Sequence, residues 1–137
     1  MTVALEIISP ERLLLARPVS MVVIPGTEGD LGVLPGHSQM ITSLRGGLID
    51  LYEDEKLVDR FFVSGGFAQI TEERCTVLAD AIVKLAELDP LKAADELAAA
   101  EAAWREADEA DEAGWRAASD RLITAQARVD ALAAQNA

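Results

Sequence analysis

The chain contains a single histidine, His37, so any chemistry that needs an imidazole must run through that residue. His37 stands in Pro35-Gly36-His37-Ser38. Adjacent residues of an extended segment point to opposite sides, so Ser38 and His37 make a poor nucleophile–base pair. A lone loop histidine of this kind reads as a surface or contact residue. Just upstream, Gly26-Thr27-Glu28-Gly29-Asp30-Leu31-Gly32 has the glycine content of a phosphate loop. It lacks the Gly-Lys-Ser/Thr ending that supplies a lysine and a magnesium ligand, and it places two acids, Glu28 and Asp30, where a phosphate needs positive charge. A strand-connecting loop with positive-φ positions accounts for it. Asp54-Glu55 and Glu72-Glu73 read as charged turns without the convergent partners that acid–base work requires. The acid-rich stretch Glu106–Glu112 fails the ligand pattern of a calcium loop and has no glycine at the sharp turn. Cys75 is the only cysteine; it can form no internal disulfide, and a cysteine-based zinc site lacks its partners. Between Arg74 and Thr76 it reads as a strand residue facing a core. Nothing in the sequence assembles an active site, and neither cofactor nor metal is called for.

Whatever these residues do, two kinds of element must position them. Eight of the nine glycines and four of the five prolines (Pro10, Pro18, Pro25 and Pro35) fall in residues 1–88, whereas residues 89–137 hold 18 of the 24 alanines. Alanine is the best intrinsic helix former, and glycine and proline punctuate turns. The chain therefore reads as an all-β sandwich or barrel over residues 1–87 followed by a helical hairpin over 88–137. In the first part, strands are expected at Val3–Ile8, Leu13–Ala16, Val19–Ile24, Leu31–Leu34, Met40–Ser43, Leu48–Tyr52, Leu57–Val63, Phe67–Ile70 and Cys75–Ala79. Connections this short leave no room for crossover helices, which argues against a parallel α/β sheet.

The helical part opens at Asp89-Pro90, a capping residue followed by proline at the first helical position. Pro90, Ala93, Leu97, Ala100, Trp104 and Ala107 recur at spacings of 3, 4, 3, 4 and 3, and Trp115, Ala118, Leu122, Ala125, Val129 and Leu132 repeat the pattern. Two such stripes describe an antiparallel hairpin, with Asp108–Gly114 as its loop and Gly114 as the breaker. The seams are mostly alanine, so at roughly 25 cal/mol per Å² of buried apolar surface the hairpin alone is marginal. Trp104 and Trp115 flank the loop; they either close its far end by packing across it or anchor a partner protein.

The chain has 137 residues, with 12 Lys and Arg against 24 Asp and Glu, a net charge of −12. That length supports one ordinary domain, or a compact domain with an appendage. The acid excess excludes a protein that binds nucleic acid by neutralising phosphates, and equally one that docks on an anionic membrane surface. No secretory leader pattern stands at the start and no run approaches a bilayer span, so a soluble, reduced, intracellular protein without membrane insertion is expected.

The run from Ile24 to His37, Ile-Pro-Gly-Thr-Glu-Gly-Asp-Leu-Gly-Val-Leu-Pro-Gly-His, resembles the signature of the ATP synthase epsilon subunit. So do Phe62-Val63-Ser64-Gly65-Gly66-Phe67 and Thr76-Val77-Leu78-Ala79-Asp80. Order, spacing and the β-then-hairpin split agree along the whole chain. The resemblance implies a β-sandwich of about ten strands with a C-terminal helical hairpin, in a non-catalytic rotor-stalk subunit that couples the gamma subunit to the c-ring. It implies a site on the cytoplasmic face of the bacterial inner membrane. It assigns Glu28, Gly29, Asp30, Gly32, Pro35, Gly36 and His37 to contact with the c-ring and gamma, as one region. It implies a hairpin that folds down or extends into the alpha/beta catalytic head, where it blocks ATP hydrolysis; Arg116, Arg121 and Arg128 are candidate head contacts. Some members bind ATP at Ile/Leu-Asp-x-x-Arg-Ala. The matching stretch here carries Asp89, Lys92 and Ala93, and Lys92 keeps the charge of arginine but loses its planar fork. A free-standing nucleotide-sensing regulatory module is the alternative reading.

Overall fold

A computed structural model describes residues 1–135. The last two residues of the expected helical segment lie outside the described residues. The chain divides into two compact units, Met1–Ala86 and Glu87–Ala137.

The first unit is built from ten strands: β1 (Val3–Ile8), β2 (Leu13–Val19), β3 (Met21–Gly26), β4 (Gly29–Val33), β5 (Met40–Leu44), β6 (Gly47–Glu53), β7 (Lys56–Val63), β8 (Gly66–Ile70), β9 (Arg74–Ala79) and β10 (Ile82–Lys84). Alternation drives the pattern: in β1, Val3, Leu5 and Ile7 are buried while their neighbours face outward, as a half-buried strand requires. The strands run in the order β10-β7-β6-β3-β5-β8-β9-β1-β2, with β4 also on β3. A single residue pair, Gly26↔Leu44, joins β3 to β5, so the sheet folds there into two halves. Val22, Ile24, Val33, Ile49, Leu51, Phe61 and Val63 of one half share a core with Val3, Leu5, Ile7, Ala68, Ile70, Cys75 and Val77 of the other. Cys75 faces this core as expected, and burial pushes its thiol up to about 12.

Three details depart from the sequence reading. Strands β3 and β4 continue through Pro25-Gly26 and Gly29-Asp30, where a loop is expected, so the glycine-rich stretch is a tight hairpin. A tenth strand of three residues, Ile82–Lys84, pairs with Phe61–Val63; it is too short to show a period. Finally, β1 and β9 pair in parallel, Leu5 opposite Cys75. No crossover helix is needed, because the whole run from β2 to β8 carries the chain back between them.

The second unit contains α1 (Pro90–Glu106) and α2 (Glu112–Gln135); a short 3-10 turn, Leu85–Glu87, precedes it. Asp89 caps α1, its carboxylate accepting from the Leu91 and Lys92 N–H groups at 2.9 and 3.4 Å. Gly114 is not the breaker: it lies in the first turn of α2, where its N–H donates to Asp111 Oδ1 at 3.2 Å. A Cβ there would lie 2.4 Å from the other Asp111 oxygen. The turn is made instead by acids, since Asp108 Oδ1 also accepts the Ala110 N–H at 2.9 Å.

Gly66 opens β8 at φ +133, and a Cβ on it would stand 2.1 Å from the Leu78 carbonyl oxygen. Gly66→Ala should therefore cost about 3 kcal/mol or more in urea unfolding. Gly32→Ala, whose Cβ would meet only Met21 Sδ at 3.8 Å, should stay within about 1 kcal/mol.

Candidate functional site

The expected contact residues surround β4, but the strand separates them into two groups. Glu28, Gly29 and Asp30 form the β3–β4 tip, with Gly26 opposite Gly29 and only Thr27 and Glu28 between. Neither central residue has a positive φ. The primed turns that usually close such hairpins are therefore absent, and Gly29 at φ +140 absorbs the twist. Pro35, Gly36 and His37 lie beyond the other end of β4, which at ~3.3 Å per residue puts about 13 Å of strand between the groups. Gly32 sits within β4, exposed. The structure thus does not bring the seven residues into one cluster.

The second group is a turn in its own right. His37 N–H donates to the Leu34 carbonyl at 3.2 Å, with Pro35 and Gly36 (φ +86) at the corners, the residue order of a type II turn. Gly36 N–H donates to the Glu72 carbonyl at 2.8 Å, tying this turn to the β8–β9 connection. His37 Nδ1 lies 2.7 Å from the Ser38 carbonyl oxygen, which can only accept. Nδ1 therefore carries the hydrogen, and the ring is engaged with backbone rather than with a nucleophile.

A residue absent from every sequence motif holds the tip. Arg45, in the β5–β6 connection, donates from its backbone N–H to the Pro25 carbonyl at 2.9 Å. Its Nη1 donates to the Gly26 carbonyl at 2.6 Å and its Nη2 to Asp30 Oδ1 at 2.5 Å. Thr27 N–H adds a bond to the Ser43 carbonyl at 3.0 Å. Also unmarked in the sequence is an apolar ladder on the outer face of the second half-sheet. Leu78 lies opposite Phe67, Ile8 beside Leu78, and Leu13 opposite Ile8. Phe67 is 56% exposed and Ile41, on the neighbouring strand β5, is 71% exposed. Period-2 alternation hides such a ladder, because its members sit at positions that normally carry polar side chains.

In the helical unit, Trp104 and Trp115 pack across the hairpin end, their ring centroids 4.9 Å apart at 45°, within the range of favourable aromatic pairs. Of the arginines, Arg121 forks onto Glu96 of α1 through two bonds of 2.9 and 2.8 Å, and Arg116 pairs with Glu112 one turn back at 3.0 Å. Arg128 is half-buried. The fork holds the Glu96 carboxyl below its ordinary value, with the charges of Arg121 and Arg128 assisting. Asp89 serves as a helix cap and Ala93 is buried, while Lys92 is exposed. Among the described residues no group of three or more His, Cys, Asp and Glu is disposed to hold a metal, and no helix is long and apolar enough to cross a membrane.

Residues 2–85 match the family model for the β-sandwich domain of the ATP synthase delta/epsilon chain. Over 128 residues the sequence is 52% identical to the ATP synthase epsilon chain of Granulibacter bethesdensis, covering 93% of this chain and 95% of that one. The chain belongs to the ATP synthase epsilon-chain family. The Rhodospirillum rubrum epsilon chain is 43% identical over 129 residues, covering 91% of this chain and 96% of the relative. Among solved structures, a chain of the Euglena gracilis mitochondrial ATP synthase, solved as OSCP/F1/c-ring, superposes with a TM-score of 0.82. It is 26% identical, over 96% of this chain and 81% of that one. A chain of the Tetrahymena thermophila central stalk and c-ring shares the fold at a TM-score of 0.66 and 15% identity, over 96% of this chain and 97% of that one. Epsilon chains are non-catalytic subunits of the synthase.

The Glu96–Arg121 fork makes a testable contribution to the hairpin. Because folding lowers the Glu96 pKa, its stabilisation is fully present above the ordinary carboxyl value and is lost as pH falls through the lowered one. The exciton circular-dichroism signal of the Trp104–Trp115 pair should weaken below about pH 4.5, the unfolded reference value. Glu96→Gln should weaken it already at neutral pH and flatten the acid response.

Proposed function

We propose that this chain is the coupling subunit of a rotor stalk, joining gamma to the c-ring at the cytoplasmic face of a bacterial inner membrane. The observation that carries the proposal is the near full-length match to bacterial epsilon chains, which takes in sandwich and hairpin together. The surfaces described above suit that role. An exposed apolar ladder centred on Phe67 and Leu78 provides area for a stable protein partner, and gamma is the partner we assign to it. The rigid, acidic β3–β4 tip suits the basic polar loops of the ring, because complementary charge orients two surfaces as they meet. The Pro35-Gly36-His37 turn, at the other end of β4, then belongs to the gamma side rather than to the tip.

The helical hairpin acts in this account as a brake on ATP hydrolysis that reaches the alpha/beta head. Its alanine seams support this reading: few large side chains hold the helices, so two packings can differ by only a few kcal/mol. Arg116 and Arg121 reach the head only after exchanging their present carboxylate partners.

Two measurements test the proposal separately. Phe67→Asp removes the cross-strand contact with Leu78 and should cost about 1–2 kcal/mol in unfolding, leaving the chain folded while sharply reducing co-purification with gamma; unchanged co-purification removes the ladder from that interface. Deleting residues 89–137 should leave the sandwich assembled with gamma and raise ATP hydrolysis by the complete synthase. Unchanged hydrolysis would leave coupling standing and take the brake away from the hairpin.

A further inference from the structure

The two acids of the β3–β4 tip are not equivalent. Asp30 is engaged: its Oδ1 accepts from Arg45 Nη2 at 2.5 Å. Glu28 occupies the outer turn position, is exposed, and enters no hydrogen bond or ion pair among the described residues. Arg45 does more than neutralise Asp30. The same guanidinium holds the Gly26 carbonyl at 2.6 Å, and the Arg45 N–H holds the Pro25 carbonyl at 2.9 Å. One residue thus fixes both strands of the hairpin at its end. A single exposed ion pair contributes little, but a planar fork serving a carboxylate and a carbonyl together fixes a geometry that lysine cannot reproduce.

Building on the proposed seat of this tip against the ring, we propose that Arg45 is a positioning residue. It neutralises Asp30 in a surface pair and holds the turn so that Glu28 is the unpaired carboxylate of the tip offered to the partner's basic loop. A turn that is already ordered loses less conformational freedom on docking, so the gain falls on attachment rather than on the stability of the isolated chain.

The test uses the assembled, membrane-bound synthase carrying Glu28→Gln, Asp30→Asn, Arg45→Gln, Arg45→Lys or the pair Asp30→Asn/Arg45→Gln. Two quantities are read: protons pumped per ATP hydrolysed, and the salt concentration that strips the stalk from membranes. Glu28→Gln should lower both severalfold while the isolated chain melts as the parent does. Arg45→Gln should lower both to a lesser degree, Arg45→Lys should restore them only in part, and Asp30→Asn should add nothing once Arg45 is gone. The proposal is overturned if Glu28→Gln is silent while Asp30→Asn is damaging, or if the Asp30→Asn effect persists undiminished in the Arg45→Gln background. If Arg45→Gln fails to fold, the Glu28→Gln and Asp30→Asn comparison on intact Arg45 decides between the two acids. If every variant is silent with the chain present in the stalk, the seat of the tip on the ring is wrong, a failure distinct from a wrong choice of acid.

Discussion

Strand β3 meets strand β5 through one residue pair, Gly26 with Leu44, and the rest of the sandwich depends on that corner. Both residues are buried, and a Cβ on Gly26 would stand 2.8 Å from the Gly29 carbonyl oxygen. That crowding lies inside the β3–β4 turn, while towards β5 the Cβ would meet only Thr42 Oγ1 at 3.7 Å; the sheet folds onto itself at the single Gly26–Leu44 pair. Once it does, the alternating apolar residues of both halves face one another and share a core. The same corner places Arg45 beside the tip, so the contact that closes the sandwich also sets the surface it presents.

The two units are held by different physics. The sandwich buries Phe61 with a set of leucines, isoleucines and valines, each of which removes much apolar area from water. Among the described residues, the hairpin's buried side chains are Ala93, Ala100, Ala125, Ala131 and Leu132. Alanine brings helices close together but removes little area, so directional contacts acquire more weight: the indole pair at one end, the Glu96–Arg121 fork along the seam, and the aspartate caps at the turn. Directional contacts can be exchanged one at a time, whereas a packed core resists piecemeal opening.

Much of this is legible in the sequence. Strict alternation in Val3–Ile8, the Asp89-Pro90 helix start and the 3,4 spacing of the two stripes each have one dominant physical reading, and each element formed as read. The errors came where two readings compete. Glycines at the tip mark a loop on statistics, yet here they let strands continue where the backbones crowd. Gly114 was the only breaker by composition, yet Asp108 and Asp111 turn the chain with their side chains and leave the glycine inside a helix. Asp30 and Glu28 look alike in sequence. They differ because Arg45, fifteen residues from Asp30 along the chain, folds back to one of them, and no local pattern announces a contact of that range.

If the sandwich sits at the foot of a rotating stalk, the Gly26–Asp30 hairpin lies against the ring and the Phe67–Leu78 face against gamma. A cryo-EM map of the intact synthase, purified from the membranes of the source organism, tests this most directly. Density for this chain is expected at the stalk foot, with the Glu28 side chain turned to the ring's polar loops and Asp30 still paired with Arg45. A map that finds the chain outside the stalk, or the hairpin tip facing away from the ring, would contradict it.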